Sequence, residues 1–293
     1  MGPTASGKTG AALLAARAVG GEIISADSMQ IYQKMNIGTA KPTQREMESV
    51  THHMIDIVSP RAGYSAAEYA RDAVRAIDSV IAKGRHPIVC GGTGLYIDAL
   101  IYPTEYEDSS RDQALRDELS LLDCHTLWLM LRDIDPEESE KVHENNKKRV
   151  IRAIEIYKTT GQKKSSLDKR QKSHSGKYDA LLLMPEVSDR QALYQRIDQR
   201  VDEMIASGLE GEIRELLASG ELVPGTTAYQ AIGYKELISY IKGEESLDSA
   251  TARLKQATRN YAKRQLTWFS RYPYKTFKSP QEAADMVKAF VNS

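Results

Sequence analysis

Eight residues near the start of the chain, Gly2-Pro3-Thr4-Ala5-Ser6-Gly7-Lys8-Thr9, fit GxxxxGK[ST] and constrain the fold more than any other feature. In such a P-loop the backbone N–H groups cradle a phosphate, Lys8 adds a point charge, and the Thr9 hydroxyl can reach a Mg²⁺ ion. Average composition makes an accidental match roughly a one-in-a-hundred event for a chain of this length. The motif demands a following helix. Ala11 to Val19, rich in Ala and Leu, supplies one whose N-terminal dipole favours an anion. The motif also demands a preceding strand. The sequence starts one residue before the loop, so that strand is expected outside this sequence or replaced by another element.

The next hundred residues alternate short β-like runs with helical patterns, which is how the βαβ units of an α/β sheet read. Glu22 to Ser25 and His86 to Cys90 are the expected strands, and Ala66 to Lys83, with a stop at Gly84, is the crossover helix between them. Open α/β sheets place ligands at the carboxyl ends of their strands. Asp27-Ser28-Met29-Gln30 and Gly91-Gly92-Thr93-Gly94 follow the two strands at that edge, so Asp27 and Thr93 are expected beside the P-loop. Asp27 is then a candidate general base, or else a turn or helix cap. Thr93 is a second polar group on the face of Asp27, or else part of a tight turn. Arg200, in Gln195-Arg-Ile-Asp-Gln-Arg-Val-Asp, reads by itself as a surface arginine paired with Asp198 or Asp202. His52 and His53 are adjacent, and adjacent histidines do not converge on one metal in a regular element.

The 40 basic and 40 acidic residues cancel overall, but they are not evenly mixed. Residues 101–140 hold twelve acids against three arginines, a net of −9, and residues 141–177 hold twelve bases against three acids, a net of +9. Both stretches read as helix. They are expected to form a mostly helical insertion, 109–177, in a P-loop NTPase-like α/β core with a parallel sheet, 1–108 and 178–293. Ala180 to Met184 is the strand that returns to that sheet, followed by helices at Asp189 to Ser207 and Glu210 to Ala218. Residues 253–278 carry eight bases and no acid, interleaved with Tyr261, Trp268, Phe269, Tyr272 and Tyr274. Cations for phosphates and flat faces for unstacked bases are what a nucleic-acid surface needs. Only two cysteines occur, in unrelated contexts, and no run approaches 18 apolar residues, so no disulfide framework, cysteine zinc site or membrane span is expected. The cytoplasm is the expected location.

Together these residues resemble the bacterial tRNA dimethylallyltransferase family. GPTASGKT (2–9), DSMQIY (27–32), NIGTAKP (36–42), HHMID (52–56), GGTGLY (91–96), KKRVIRAIEIY (147–157), QRIDQRVDEM (195–204), AIGYKE (231–236) and AKRQLTWF (262–269) look like family segments in the family's order. Gln33 departs from the Arg or Lys expected there. The resemblance implies transfer of a dimethylallyl group from dimethylallyl diphosphate to N6 of adenosine 37, in tRNAs reading codons that begin with U. It implies Asp27, Thr93 and Arg200 as catalytic residues, Gly2, Pro3, Thr4, Ala5, Ser6, Gly7, Lys8 and Thr9 as the diphosphate cradle, and Mg²⁺ on Thr9. Contacts to the tRNA anticodon stem-loop are implied for Asp27, Ser28, Met29, Gln30 and Thr93. They are also implied for Lys148, Arg149, Val150, Ile151 and Arg152, for Gln230, Ala231, Ile232, Gly233, Tyr234 and Lys235, and for Lys263, Arg264 and Gln265 on to Ser270. A monomer is expected.

Three other functions use some of these features. A P-loop nucleotide or nucleoside kinase explains the loop and the strand-end Asp but not the basic, aromatic C-terminal stretch. An adenylate dimethylallyltransferase acting on free AMP, ADP or ATP shares the fold but leaves the long basic segments unexplained. A non-catalytic tRNA-binding protein has no use for Asp27, Thr93 and the P-loop.

Overall fold

The structure is a computed structural model describing residues 1–102, 112–173 and 177–293, with 170–173 as backbone only. The expected 108/109 domain boundary lies outside the described residues. The elements in chain order are α1 (Lys8–Val19), β1 (Glu22–Ser25), α2 (Gln44–Ser49), β2 (His52–His53), α3 (Ala66–Ala82), β3 (Pro87–Cys90) and α4 (Gly94–Ile101). Then come α5 (Gln113–Ser120), α6 (Cys124–Ile134), α7 (Pro136–Lys141), α8 (Lys147–Thr160) and α9 (Lys164–Ser173). The last are β4 (Leu183–Pro185), α10 (Arg190–Ala206), α11 (Leu209–Ala218), α12 (Tyr234–Ile241), α13 (Leu247–Phe269), β5 (Lys275–Phe277) and α14 (Pro280–Val291). The chain divides into two compact units, Met1–Leu100 with Asp179–Ser293, and Ile101–Tyr178. Among the described residues no helix is long and apolar enough to cross a membrane.

In the first unit β1 is the middle strand of a parallel sheet ordered β2-β1-β3. Ile23 pairs with Ile88 and Ile24 with Val89, which brings Ser25 level with Cys90. The carboxyl ends of β1 and β3 therefore finish side by side. Gly91 follows at a point where a Cβ would lie 2.1–2.6 Å from the Ala26 backbone, so only glycine lets the two chain exits run this close. The strand expected to return at Ala180 to Met184 does not join this sheet. It is shorter and later, Leu183–Pro185, and pairs in parallel with β5, an element with no sequence expectation behind it. The start of the P-loop lies beside β4 and the turn after β3: the Met1 ammonium donates to Leu183 O at 2.9 Å, and Gly2 O lies near Gly92.

Helices α10 to α13 and the Ile31–Met35 segment share an apolar core that includes Tyr32, Val201, Leu209, Tyr234, Leu237 and Leu254. Full burial of side chains this size is worth about 1.5–3 kcal/mol each. Trp268 on α13 packs its indole against Gly94, where a Cβ would fall 2.2 Å from the ring, and Arg271 covers it at 4.3 Å from the ring centre.

The second unit, as described, is helical, as its composition requires. Three members of its acidic run are helix caps: Asp112, Asp123 and Asp135 accept the N–H groups of Leu115, Thr126 and Glu138. Leu119, Leu127, Leu131, Val150 and Ile154 form the core. The Trp128 indole donates to Ser139 O and Val142 O, both at 3.2 Å. Glu155 is fully buried between Arg116, at 2.7 and 2.8 Å, and Arg152, at 2.6 Å. The −9 and +9 stretches thus neutralise one another in part by direct ion pairs, among them Lys141 and Lys169 with Glu137 and Lys164 with Glu138.

Candidate active site

The P-loop is built to hold an anion. Helix α1 begins after Gly7 in left-handed backbone (φ 84°), with no side-chain cap and no acid in its first turn, so its leading N–H groups have no internal acceptor. Ala5 is also left-handed (φ 56°), unusual for a residue with a Cβ, and Arg196 Nε steadies it by donating to Ala5 O at 3.1 Å. Lys8 Nζ donates to Pro3 O at 3.1 Å. Burial pushes the Lys8 ammonium down, Cys90 and Asp27 pull it back up, and the Arg200 guanidinium pushes it down again. Two cations held out of water near one loop favour a multiply charged anion between them.

Arg200 is not a surface arginine. Burial pushes the pKa of its guanidinium down, and the opposing charges are Asp27 and Glu203. Asp198 pairs instead with Arg259 at 2.5 Å, and Asp202 with Lys255 at 2.7 Å. The reason is helical geometry: residues two apart do not share a face, so neither Asp is placed to meet Arg200.

The strand-end residues interlock. Thr93 Oγ1 accepts the Ser28 N–H at 2.9 Å and donates to Ser28 Oγ at 3.2 Å, while Thr93 N–H bonds to Ala26 O. Asp27 Oδ1 caps its own turn through the N–H of Met29 (2.9 Å) and of Gln30 (3.4 Å). The turn-cap role and proximity to the P-loop are therefore both realised, with Oδ1 used by the turn. Lys8, Thr9, Asp27, Ser28, Arg200, Tyr261 and Arg264 line one cavity of about 360 Å³, the size of a small-molecule site. Burial and the Asp27 charge push the Tyr261 phenol up to about 12, so it stays a hydrogen-bond donor at neutral pH.

The residues implied in RNA contact separate by burial. Lys148, Arg149, Lys263 and Arg264 are exposed. Lys235 and Gln230 line the cavity. Val150, Ala231, Tyr234 and Gln265 are buried, and of these Ala231 and Gln265 also border the cavity. Gln30 is spoken for, bonding Ser25 Oγ, Thr39 O and Ala40 O. Of the eight bases in 253–278, Arg253, Lys255, Arg259 and Arg271 pair with Glu245, Asp202, Asp198 and Asp98. His53 bonds the buried Glu22 at 2.6 Å and His52 the Val50 carbonyl, so the two rings serve different partners.

Two anchoring roles were not expected from the sequence, in which Glu212 is no candidate and Gln265 is expected only as an RNA contact. Glu212 on α11 accepts the N–H groups of Asn36 and Ile37 at 2.8 Å, of Gly38 at 3.2 Å, and the Tyr234 hydroxyl at 2.6 Å, fixing the loop whose Gly38 and Thr39 wall the cavity. Gln265 ties the P-loop to the Gly92 turn. The adjacent glycines 91 and 92 were the sole hint that something approaches there closely.

Fold and cavity define an α/β protein with a parallel sheet, in which a strand-end carboxylate and the P-loop motif line one cavity. The chain belongs to the IPP transferase family, whose profile matches residues 30–272. It is 46% identical over 273 residues to the tRNA dimethylallyltransferase of Acetivibrio thermocellus, covering 92% of this chain and 87% of that one. It is 43% identical to that of Carboxydothermus hydrogenoformans, covering 98% and 93%. The crystal structure of tRNA delta(2)-isopentenylpyrophosphate transferase from Staphylococcus epidermidis superposes with a TM-score of 0.73 at 41% identity, covering 100% of this chain and 97% of that one. A eukaryotic dimethylallyltransferase captured acting on tRNA superposes at 0.82 with 29% identity, covering 100% and 75%.

Proposed function

We propose that this chain, acting as a monomer, is a tRNA dimethylallyltransferase that carries the dimethylallyl group of dimethylallyl diphosphate to N6 of adenosine 37, 3′ of the anticodon, in tRNAs reading codons beginning with U. The observation that carries this is the meeting of Thr4, Lys8 and Thr9 of the P-loop with Arg200 and Asp27 in one cavity, the Asp27 turn being tied to Thr93 through Ser28. As the allylic C–O bond breaks, negative charge grows on the departing diphosphate, and the α1 N–H groups, Lys8 and Arg200 stabilise it. The N6–carbon bond forms as the amine loses a proton, which Asp27 takes. Such a base is typically worth ~10²–10⁴ in rate. Thr93 holds the adenine edge beside Asp27. Thr9 and Asp27 line the same cavity, and their hard oxygens would suit Mg²⁺ together with diphosphate oxygens. When bound, that ion would offset leaving-group charge.

The target base must leave the anticodon-loop stack, at a cost of a few kcal/mol. Exposed Lys263 and Arg264, with Arg264 over the Tyr261 ring at 5.7 Å, offer phosphate contacts and a stacking face at the cavity mouth. The test supplies protein and Mg²⁺ with labelled dimethylallyl diphosphate and an anticodon stem-loop, or AMP, or with ATP and nucleosides. Label is expected in the stem-loop alone. Label in AMP favours a free-nucleotide prenyltransferase, and phosphoryl transfer from ATP favours a kinase. Asp27→Ala should bind the stem-loop normally and turn over at least ~10²-fold more slowly; near-normal turnover removes Asp27 as the base.

A further inference from the structure

Gln265 lies in the α13 segment that family resemblance gives to RNA contact, yet it is only 4% exposed and both ends of its carboxamide are used inside the protein. Its Oε1 accepts the Thr4 N–H at 2.9 Å, and its Nε2 donates to Gly92 O at 2.8 Å. The partners fix the orientation of the amide, because one offers only a proton and the other only lone pairs. Gly92 is shaped for this contact. A Cβ there would lie 2.2 Å from Gln265 Nε2, so any larger residue would expel the amide. Tyr261, one helical turn earlier, directs its hydroxyl to the same Gly92 oxygen at 3.4 Å.

The two groups that Gln265 joins belong to opposite sides of the reaction. Thr4 is in the loop that cradles the leaving diphosphate. Gly92 immediately precedes Thr93, which is locked to the Asp27 turn through Ser28. A single rigid amide therefore spans from the leaving-group side to the nucleophile side. We propose that Gln265 is a positioning residue that sets the distance between the diphosphate cradle and the turn holding the acceptor adenosine, and that it makes no contact with RNA. This rests on the prenyl-transfer function above. Its physical content is that displacement, on fully bound substrates, of reacting groups by about 1 Å can cost ~10² in rate.

Gln265→Glu keeps the size of the side chain and its acceptor for Thr4 N–H, but an ionised carboxylate cannot donate to Gly92 O. A protonated carboxyl can, and burial favours protonation. Gln265→Glu is therefore expected to lose ~10²-fold in kcat at pH 8, with the KM for stem-loop and its salt dependence within about 3-fold of wild type. Relative to wild type, its kcat should recover as the pH falls toward 6. Gly92→Ala displaces the amide without altering any residue of α13, and should show the same kcat loss with no recovery in acid. A raised stem-loop KM with kcat intact would make Gln265 an RNA contact and overturn the proposal, as would a pH-independent ratio of variant to wild type. Should Gln265→Glu fail to fold, the kcat-against-KM split of Gly92→Ala decides alone: a loss confined to kcat supports the proposal, and a loss confined to KM overturns it. Wild type is assayed alongside. An inert wild type sinks the prenyl-transfer function, whereas an active one with these variant results reversed sinks only the role of Gln265.

Discussion

Replacing Glu212 by alanine strands four donors at once: the N–H groups of Asn36, Ile37 and Gly38 and the hydroxyl of the fully buried Tyr234. Asn36 N–H lies at the exposed edge and water can replace its partner. The other three are half-buried bonds to a charged acceptor; at the low end of the roughly 1.5–3 kcal/mol such bonds are worth they total about 4.5 kcal/mol, and with relaxation recovering about a third the loss is about 3 kcal/mol. Tyr234 cannot escape by ionising, because burial and then the Glu212 charge push its phenol up. Nor can the loop close over the gap, since Gly38 already lies against the Tyr234 ring where even a Cβ would come within 2.5 Å. For a unit of this size, 3 kcal/mol corresponds to a fall of about 6–12 °C in Tm, at roughly 2–4 °C per kcal/mol. Local opening is the other route, and then the amides of Ile37 and Gly38 should exchange ~10²-fold faster by hydrogen–deuterium exchange. Glu212→Gln, with one acceptor oxygen left, should lose about 2 kcal/mol, and Tyr234→Phe less, since the carboxylate keeps its other donors. An unchanged Tm together with unchanged exchange at residues 36–38 in Glu212→Ala would refute this account of the loop.

In the second unit, burial pushes the Glu155 carboxyl up, but its bonds to Arg116 and Arg152 outweigh this and hold it below the usual carboxylate range. Because the folded value is depressed, its stabilisation is present above the unfolded value of about 4.3 and is lost as the pH falls through the folded one. Glu155→Gln should cost about 3 kcal/mol in urea unfolding at pH 7, and the gap to wild type should close progressively below about pH 4. Removing Lys263 and Arg264 together should weaken stem-loop binding and flatten the plot of log affinity against log salt by about 1–2 units, because each phosphate contact releases counterions. An unaltered slope would place the RNA elsewhere.

The P-loop and both strand ends were legible because they depend on spacing alone: β1 falls on Glu22–Ser25 as its pattern requires, and Asp27 and Thr93 follow parallel neighbours. Pairing was not legible. Counting charges over residues 253–278 gives +8, but four of those cations have carboxylate partners brought from α4, α10 and the α12–α13 turn, and sequence proximity does not reveal such partners. The two halves of the insertion likewise read as opposite blocks and fold into mutual partners, with Glu155 taking Arg152 out of the cations available at the surface. β5 went unseen because three residues in a basic stretch carry no periodicity, and the reach of Gln265 across to Thr4 depends on tertiary geometry alone.

The two indoles have a practical consequence. The chain holds two tryptophans, Trp128 in the helical unit, hydrogen-bonded to Ser139 and Val142, and Trp268 in the P-loop unit, wedged between Gly94 and Arg271. Each unit therefore carries its own fluorophore, in a different environment. Substituting either one by phenylalanine turns the emission of the other into an optical readout of a single unit, so denaturation of the catalytic core and of the insertion can be followed as separate signals in the same polypeptide.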